Sequence, residues 1–240
     1  MFLSQNLAQN FNTNHQINDN NQSNTFFNHI HHDVKGYGNK RVSEKDIAKF
    51  IAEGKIVAVF NGQAETGPRA LGNRSILFDA TNPDAKRIVN TVKRREWYRP
   101  FACSVLKEDA KEYFEMYHLD ESPNMTISFP VKSDSIPGVT HVDNTCRIQT
   151  VDNTIPHFYR VLKEYKKITG ISVVLNTSFN VAGQPIVETP EEAIETFLRA
   201  DIDYLCLENF WIVKRDQPVL NYEQHLSLVA DSPLPHGLQP

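Results

Sequence analysis

Along the middle of this chain, stretches in which apolar residues recur every three or four positions alternate with short, nearly unbroken β-branched runs. These are the patterns of amphipathic helices and buried strands. Ser43-Glu44-Lys45-Asp46 resembles a capping box, Ile47, Phe50 and Ile51 follow at helical spacing, and Gly54 closes the predicted helix. Residues 55–60 read as a buried strand and 61–73, with three glycines, as a long loop. A strand over 75–78 precedes Asn82-Pro83, an N-cap and first-turn proline for a helix with Ala85, Ile88, Val89 and Val92 on one face. Strands are predicted over 101–106, 125–131 and 146–151, with an amphipathic helix over 108–116 between the first two.

The alternation continues toward the C-terminus. A helix from Pro156 sets Phe158, Val161, Leu162, Tyr165 and Ile168 on one side and stops at Gly170. Residues 171–175 are nearly apolar on both faces, which predicts a central strand. A loop over 176–185, a helix opened by the capping box Thr189-Pro190-Glu191-Glu192, and a last strand over 204–213 follow. This order predicts one α/β domain over 42–215. In residues 1–41 Asn, Gln and His dominate, with too little apolar surface to offset an ordering cost of about 1–2 kcal/mol per residue. A disordered tail is expected there, and another over 216–240. His29, His31 and His32 are read as part of that polar tract, because a mobile segment does not hold metal ligands in fixed geometry.

The 240 residues are 40% hydrophobic and 22% charged, an ordinary balance for a globular chain with one substantial core. No run of about 18 apolar residues occurs, so membrane transport is not expected. A net charge of -4 argues against a surface that neutralises long stretches of nucleic-acid backbone, and a nucleic-acid partner is not expected. Cys103, Cys146 and Cys206 lie far apart with no C-x-x-C pair, which fits a reducing compartment. The first residues lack the basic and apolar segments of a secretory signal, so the expected location is the cytoplasm.

Four stretches carry candidate chemistry. In Thr66-Gly67-Pro68-Arg69-Ala70-Leu71-Gly72-Asn73-Arg74-Ser75 the glycines permit close backbone approach and the two arginines can fork onto oxyanions, although such loops also serve as plain turns. Lys93-Arg94-Arg95-Glu96-Trp97-Tyr98-Arg99-Pro100 is a cation run at a helix end. A solvated end suffices for Arg94, whereas Arg99, wedged between Tyr98 and Pro100-Phe101, is expected close to the sheet. Asn176-Thr177-Ser178-Phe179-Asn180 places polar side chains beyond the carboxyl end of the central strand, where a nucleotide, a small planar amide or a hydrogen-bonded turn fits. In the fourth stretch, 139–150, Arg147 and Gln149 share one face of a strand. His141 and Asp143 are an acid/base pair by type, but with no evident nucleophile His141 reads as a satisfied structural histidine.

Together these stretches resemble the C-terminal, YrdC-like part of the O-carbamoyltransferases of nodulation-factor and antibiotic biosynthesis, over about 43–214. The resemblance rests on G-P-R-A-L-G-N-R-S at 67–75, K-x-R and then R-P-F-A within 93–102, T-H-V-D and then R-x-Q-T within 140–150, and L-N-T-S-F-N at 175–180. It implies a YrdC-like twisted mixed sheet flanked by helices, and a site where carbamoyl phosphate and ATP form carbamoyl adenylate with release of pyrophosphate. Lys93, Arg95, Ser178 and Asn180 look like the K-x-R and S-x-N tetrad of such proteins. By the same similarity Lys93, Arg99, Arg147 and Ser178 are the candidate catalytic residues, and Arg69, Arg95, Asn176 and Asn180 the candidate substrate- and ATP-binding residues. No dedicated carboxylate cage is readable, so Mg2+ is expected to arrive on ATP and no resident metal is expected. Full enzymes of the family carry a preceding Kae1-like domain with a metal site for the acceptor alcohol, and the N-terminal tract here has no H-x-x-x-H pattern. A separate Kae1-like protein is therefore the expected partner. The alternative is a non-catalytic nucleotide- or anion-binding module derived from such an enzyme.

Overall fold

Two apolar layers, one on each side of a nine-stranded mixed sheet, organise the protein in a computed structural model that describes residues 34–208 and 210–214. In chain order the elements are β1 (Val34–Arg41), α1 (Glu44–Ala52), β2 (Val57–Phe60), β3 (Arg74–Asp79), α2 (Ala85–Val92), β4 (Ala102–Leu106), a 3-10 turn (Lys107–Asp109), α3 (Ala110–Tyr113), β5 (Ser128–Pro130), β6 (Thr145–Val151), α4 (Pro156–Thr169), β7 (Val173–Ser178), α5 (Pro190–Arg199), β8 (Tyr204–Leu207) and β9 (Phe210–Lys214). Across the sheet the order is β1-β9-β8-β2-β3-β7-β4-β6-β5. The pairs β2–β8 and β4–β6 are parallel and the other neighbours antiparallel.

The period-2 alternation of each strand decides which residues meet which helices. Ile47 and Ile51 of α1 and Phe158, Leu162 and Tyr165 of α4 pack on Val57, Val59, Leu77, Leu106, Val151 and Val174. On the opposite face Ala58, Phe60, Ile76, Phe78, Cys103, Val105, Ile148, Val173 and Leu175 share a core with Val89 of α2 and Ile194 and Phe197 of α5. Each fully buried large side chain contributes about 1.5–3 kcal/mol. Continuing the same alternation, Asn176 and Ser178 follow Val174, Ala102 and Ser104 precede Leu106, and Arg147 and Gln149 precede Val151. Where β7 ends and β4 and β6 begin, the face shared with α1 and α4 therefore turns polar. Position in three strands creates the site.

Several boundaries differ from the sequence reading, each for a local reason. Strand β7 runs on to Ser178, because Asn176 and Ser178 find antiparallel partners on β3 and Asn176 also pairs with Ala102 of β4. The helix expected over 108–116 is only a 3-10 turn and the single turn α3, since Phe114 becomes extended and bridges to Val131. The strand expected over 125–131 shortens to β5, with Met125 in a left-handed conformation (φ 53). The last strand breaks at Glu208 (φ 53) into the hairpin β8–β9. Val34–Arg41, assigned to the tail by composition, pairs antiparallel with β9 through its backbone. The remainder of both tails, with His29, His31 and His32, lies outside the described residues. Among the described residues no helix is long and apolar enough to cross a membrane.

Candidate functional site

The loop between β2 and β3 is fixed from three sides. Glu65 Oε1 accepts the N–H groups of Leu71 (2.9 Å) and Asn73 (2.6 Å). Gly72 has φ +122, and a Cβ there would stand 2.5 Å from Cδ1 of Phe158 on α4, so only glycine brings the loop this close. Arg74 is buried in β3 and donates to the carbonyls of Asn61, Asn73 and Gly62, with its guanidinium 3.5 Å from the Phe60 ring centre. It braces the loop and is not one of a pair of free oxyanion forks, because its N–H groups turn inward. From the sheet, Gln149 Nε2 donates to Leu71 O (2.8 Å), Asn176 Nδ2 faces Ala70 O (3.4 Å), and Ser104 joins the two amides.

Held in this way, the loop closes one side of a cavity of about 80 Å³ lined by Arg69, Arg95, Arg147, Asn176 and Ser178, with Ala102, Phe101 and Met125 among its apolar walls. Arg95 lies over the Phe101 ring (4.4 Å) and donates to Asn90 Oδ1 (2.6 Å). Burial, and then the nearby Arg99 charge, hold the Arg95 guanidinium down at about 10. Burial, followed by the charge of Arg69, lowers Arg147 as well. Among the described residues no carboxylate forms a salt bridge with Arg69, Arg95 or Arg147. The cavity thus concentrates positive charge at an unfavourable self-energy that a bound anion reverses.

The K-x-R and S-x-N tetrad divides in two. Arg95 and Ser178 line the cavity, whereas Lys93, only 3% exposed, sits behind its wall. Lys93 Nζ reaches Ser178 O (2.6 Å), Asn180 Oδ1 (2.8 Å), Asn180 O (3.0 Å) and Ser178 Oγ (3.3 Å), which fully occupies its three protons. Burial, with the Arg95 charge adding to it, brings its pKa down to about 7. Asn180 completes the clamp by donating from Nδ2 to Gln184 O (2.7 Å). Arg99, about half exposed, pairs with Glu96 (2.6 Å) and is not among the residues lining the cavity, although its charge lies near that of Arg95.

A second cavity of about 200 Å³ shares the Pro100–Phe101 wall and is bounded by Lys86, Tyr98 and the segment 138–143. His141 Nε2 lies 2.9 Å from Phe101 O and Nδ1 lies 3.3 Å from Thr145 Oγ1. Asp143 bonds Thr145 and not His141, so His141 is a satisfied structural histidine. Among the described residues no group of three or more His, Cys, Asp or Glu side chains is placed to hold a metal. The sequence reading missed Ser104 as part of the site and noted Gln149 only as sharing a face with Arg147. The alternation R-x-Q was the available signal, but the pairing of β4 with β6 that brings Ser104 to Gln149 is non-local.

A helix-flanked mixed sheet with a cationic cavity at one strand end defines a recognisable class of α/β domain. Full-length HypF in its phosphate- and nucleotide-bound form superposes with a TM-score of 0.53 at 24% identity, covering 72% of this chain and 26% of that one. Pyrococcus abyssi Sua5 complexed with L-threonine gives 0.53 at 17%, covering 71% and 49%. The fold is accordingly YrdC-like. The family described as carbamoyltransferase C-terminus matches residues 48–214, and the chain belongs to this family. Similar proteins include the nodulation protein NolNO of Sinorhizobium fredii (47% identical over 176 residues, 70% of this chain and 26% of that protein) and the uncharacterized protein MJ1058 of Methanocaldococcus jannaschii (46% over 173 residues, 70% and 28%). The match spans about a third or less of the length of such relatives.

Proposed function

We propose that this domain binds carbamoyl phosphate and MgATP and forms carbamoyl adenylate. The observation that carries the reading is the convergence of Arg69, Arg95 and Arg147, which form no salt bridge with a carboxylate among the described residues, on one small cavity in a carbamoyltransferase-family chain. Both substrates are multiply negative, and bringing them together requires concentrated positive charge. In the balanced reaction carbamoyl phosphate gives up its phosphoryl group to water as orthophosphate. The freed carbamate oxygen then attacks the α-phosphorus of ATP, and pyrophosphate leaves. No protein nucleophile takes part. The arginines hold the anions in line and stabilise the charge that develops on the phosphates, with Mg2+ carried in on ATP. The phosphates occupy the arginine cavity, and the larger neighbour across Pro100–Phe101 has room for the nucleoside.

Transfer from the adenylate to a hydroxyl needs a further site that binds the acceptor and shields the adenylate from water, and we assign that site to a Kae1-like protein. The test is a pyrophosphate-release assay on the 240-residue chain. Release that requires both ATP and carbamoyl phosphate is expected. No release, with or without a Kae1-like protein, would leave the alternative, a non-catalytic anion-binding module.

A further inference from the structure

Asn90, on α2 and only 1% exposed, commits its whole side chain to the loop that follows the helix. Its Oδ1 accepts from Arg95 Nε (2.6 Å), while its Nδ2 donates to Trp97 O (3.1 Å) and to Arg99 O (3.0 Å). The amide oxygen and both amide protons are thereby engaged. The backbone oxygen of Asn90 takes the Arg95 N–H as well (3.1 Å). This amide cannot turn over, because a flip would set its oxygen against two carbonyls and its nitrogen against a guanidinium.

The three side-chain bonds reach both cavities. Arg95 lines the smaller one, its guanidinium held between Asn90 Oδ1 and the Phe101 ring (4.4 Å). Tyr98 lines the larger one, and it lies between the two carbonyls that Asn90 Nδ2 grips. The loop then runs into Pro100–Phe101, the wall common to both cavities, where Phe101 O meets Nε2 of His141 (2.9 Å), another lining residue of the larger one. Residues 96–100 are exposed, so this buried amide is the tie from the middle of the loop to α2. A shift of the Arg95 guanidinium therefore acts on the same group that sets the position of Tyr98.

We propose that Asn90 is a positioning residue that couples the two cavities, so that an anion gripped by Arg95 and a nucleoside resting against Tyr98 each strengthen the binding of the other. Whichever ligand arrives first fixes its side of the shared amide, and the second meets a loop already ordered for it. The coupling is reciprocal, since each ligand must change the affinity of the other by the same factor. The inference rests on the reading given above, with phosphates in the smaller cavity and the nucleoside in the larger, and adds to it the group that makes their binding cooperative.

Adenosine and inorganic pyrophosphate are the probes, since adenosine is uncharged and any coupling between them is not direct charge attraction. In equilibrium titrations of the 240-residue chain, saturating adenosine is expected to tighten pyrophosphate binding by roughly 5–20-fold, and saturating pyrophosphate to tighten adenosine binding by the same factor. Asn90→Ala removes the tie, and Asn90→Asp keeps an acceptor for Arg95 but loses both donors. In each the factor is expected to fall to within about twofold of one. A merely structural role would weaken each ligand and leave the factor unchanged. Should neither variant fold, the emission of Trp97, which lines neither cavity, decides the matter in the wild-type chain. Pyrophosphate alone is expected to shift it, with Trp97→Phe separating its signal from that of Trp211. Independent binding in the wild-type chain, an undiminished factor in a folded variant or, with no folded variant, a Trp97 emission unmoved by pyrophosphate would overturn the coupling and leave the two-cavity reading standing. A folded wild-type chain that fails to bind one or both probes would overturn that reading as well.

Discussion

Lys93 and Arg147 are cations of the same set of motifs, and their surroundings separate them. Arg147 lines the cavity with one N–H unpartnered, so Arg147→Ala is expected to lower pyrophosphate release by about 10²–10³ while leaving the melting temperature nearly unchanged. Lys93 instead satisfies oxygens of Ser178 and Asn180 away from solvent. Lys93→Met strands these acceptors and is expected to destabilise by about 3 kcal/mol, a fall of roughly 6–12 °C in Tm for a chain of this size. An unchanged Tm in calorimetry would refute the clamp. Lys93 also makes a pH signature. Its pKa is about 7 when folded against the ordinary 10.5, so between these values the unfolded chain binds more protons. Its contribution to stability therefore rises with pH across that window and is constant below it. Cys206, which burial pushes up to about 12 from 9.0, acts in the opposite sense above about 9, so the range to measure is pH 7–9. Across it, the stability of the wild-type chain relative to Lys93→Met is expected to climb, and a flat difference in denaturant titrations would contradict the burial of the ammonium.

At the scale of elements, the sequence made most of the fold legible because its signals are local. Both capping boxes form, with Ser43 accepting from Asp46 N and Thr189 from Glu192 N, and Gly170 ends α4 in the left-handed region. What escaped was set by partners far along the chain. Asn176 belongs to a strand only because β3 and β4 flank it, and Val34–Arg41 is ordered only as a neighbour of β9. The candidate site was legible in the same measure. Arg69, Arg95, Arg147, Asn176 and Ser178 converge, while Arg99 pairs with Glu96 and Lys93 is held by oxygens of Ser178 and Asn180 behind the cavity wall. Gly72 is the element-level hinge of this arrangement, since the loop bearing Arg69 rests on α4 there. Gly72→Ala is expected to lift that loop and reduce pyrophosphate release by about 10²-fold, as misplacement by about 1 Å does for other positioned groups. Undisturbed kinetics in that variant would show that the loop does not position Arg69.

Considered whole, the chain matches about a third or less of the length of its relatives, and the proposed reading assigns the acceptor alcohol to a separate protein. Carbamoylated alcohol is accordingly expected only when a Kae1-like protein is added, and its formation by the 240-residue chain alone, seen by mass spectrometry, would refute the division of labour. The central claim is tested most directly by looking for the adenylate itself. The chain is mixed with ATP, Mg2+ and isotopically labelled carbamoyl phosphate, quenched rapidly and analysed by mass spectrometry, with Arg147→Ala as the control. The account predicts labelled carbamoyl adenylate at levels approaching the enzyme concentration, and about 10²–10³-fold less in the variant. Absence of the labelled adenylate from a folded wild-type chain, or equal amounts from both proteins, would contradict it.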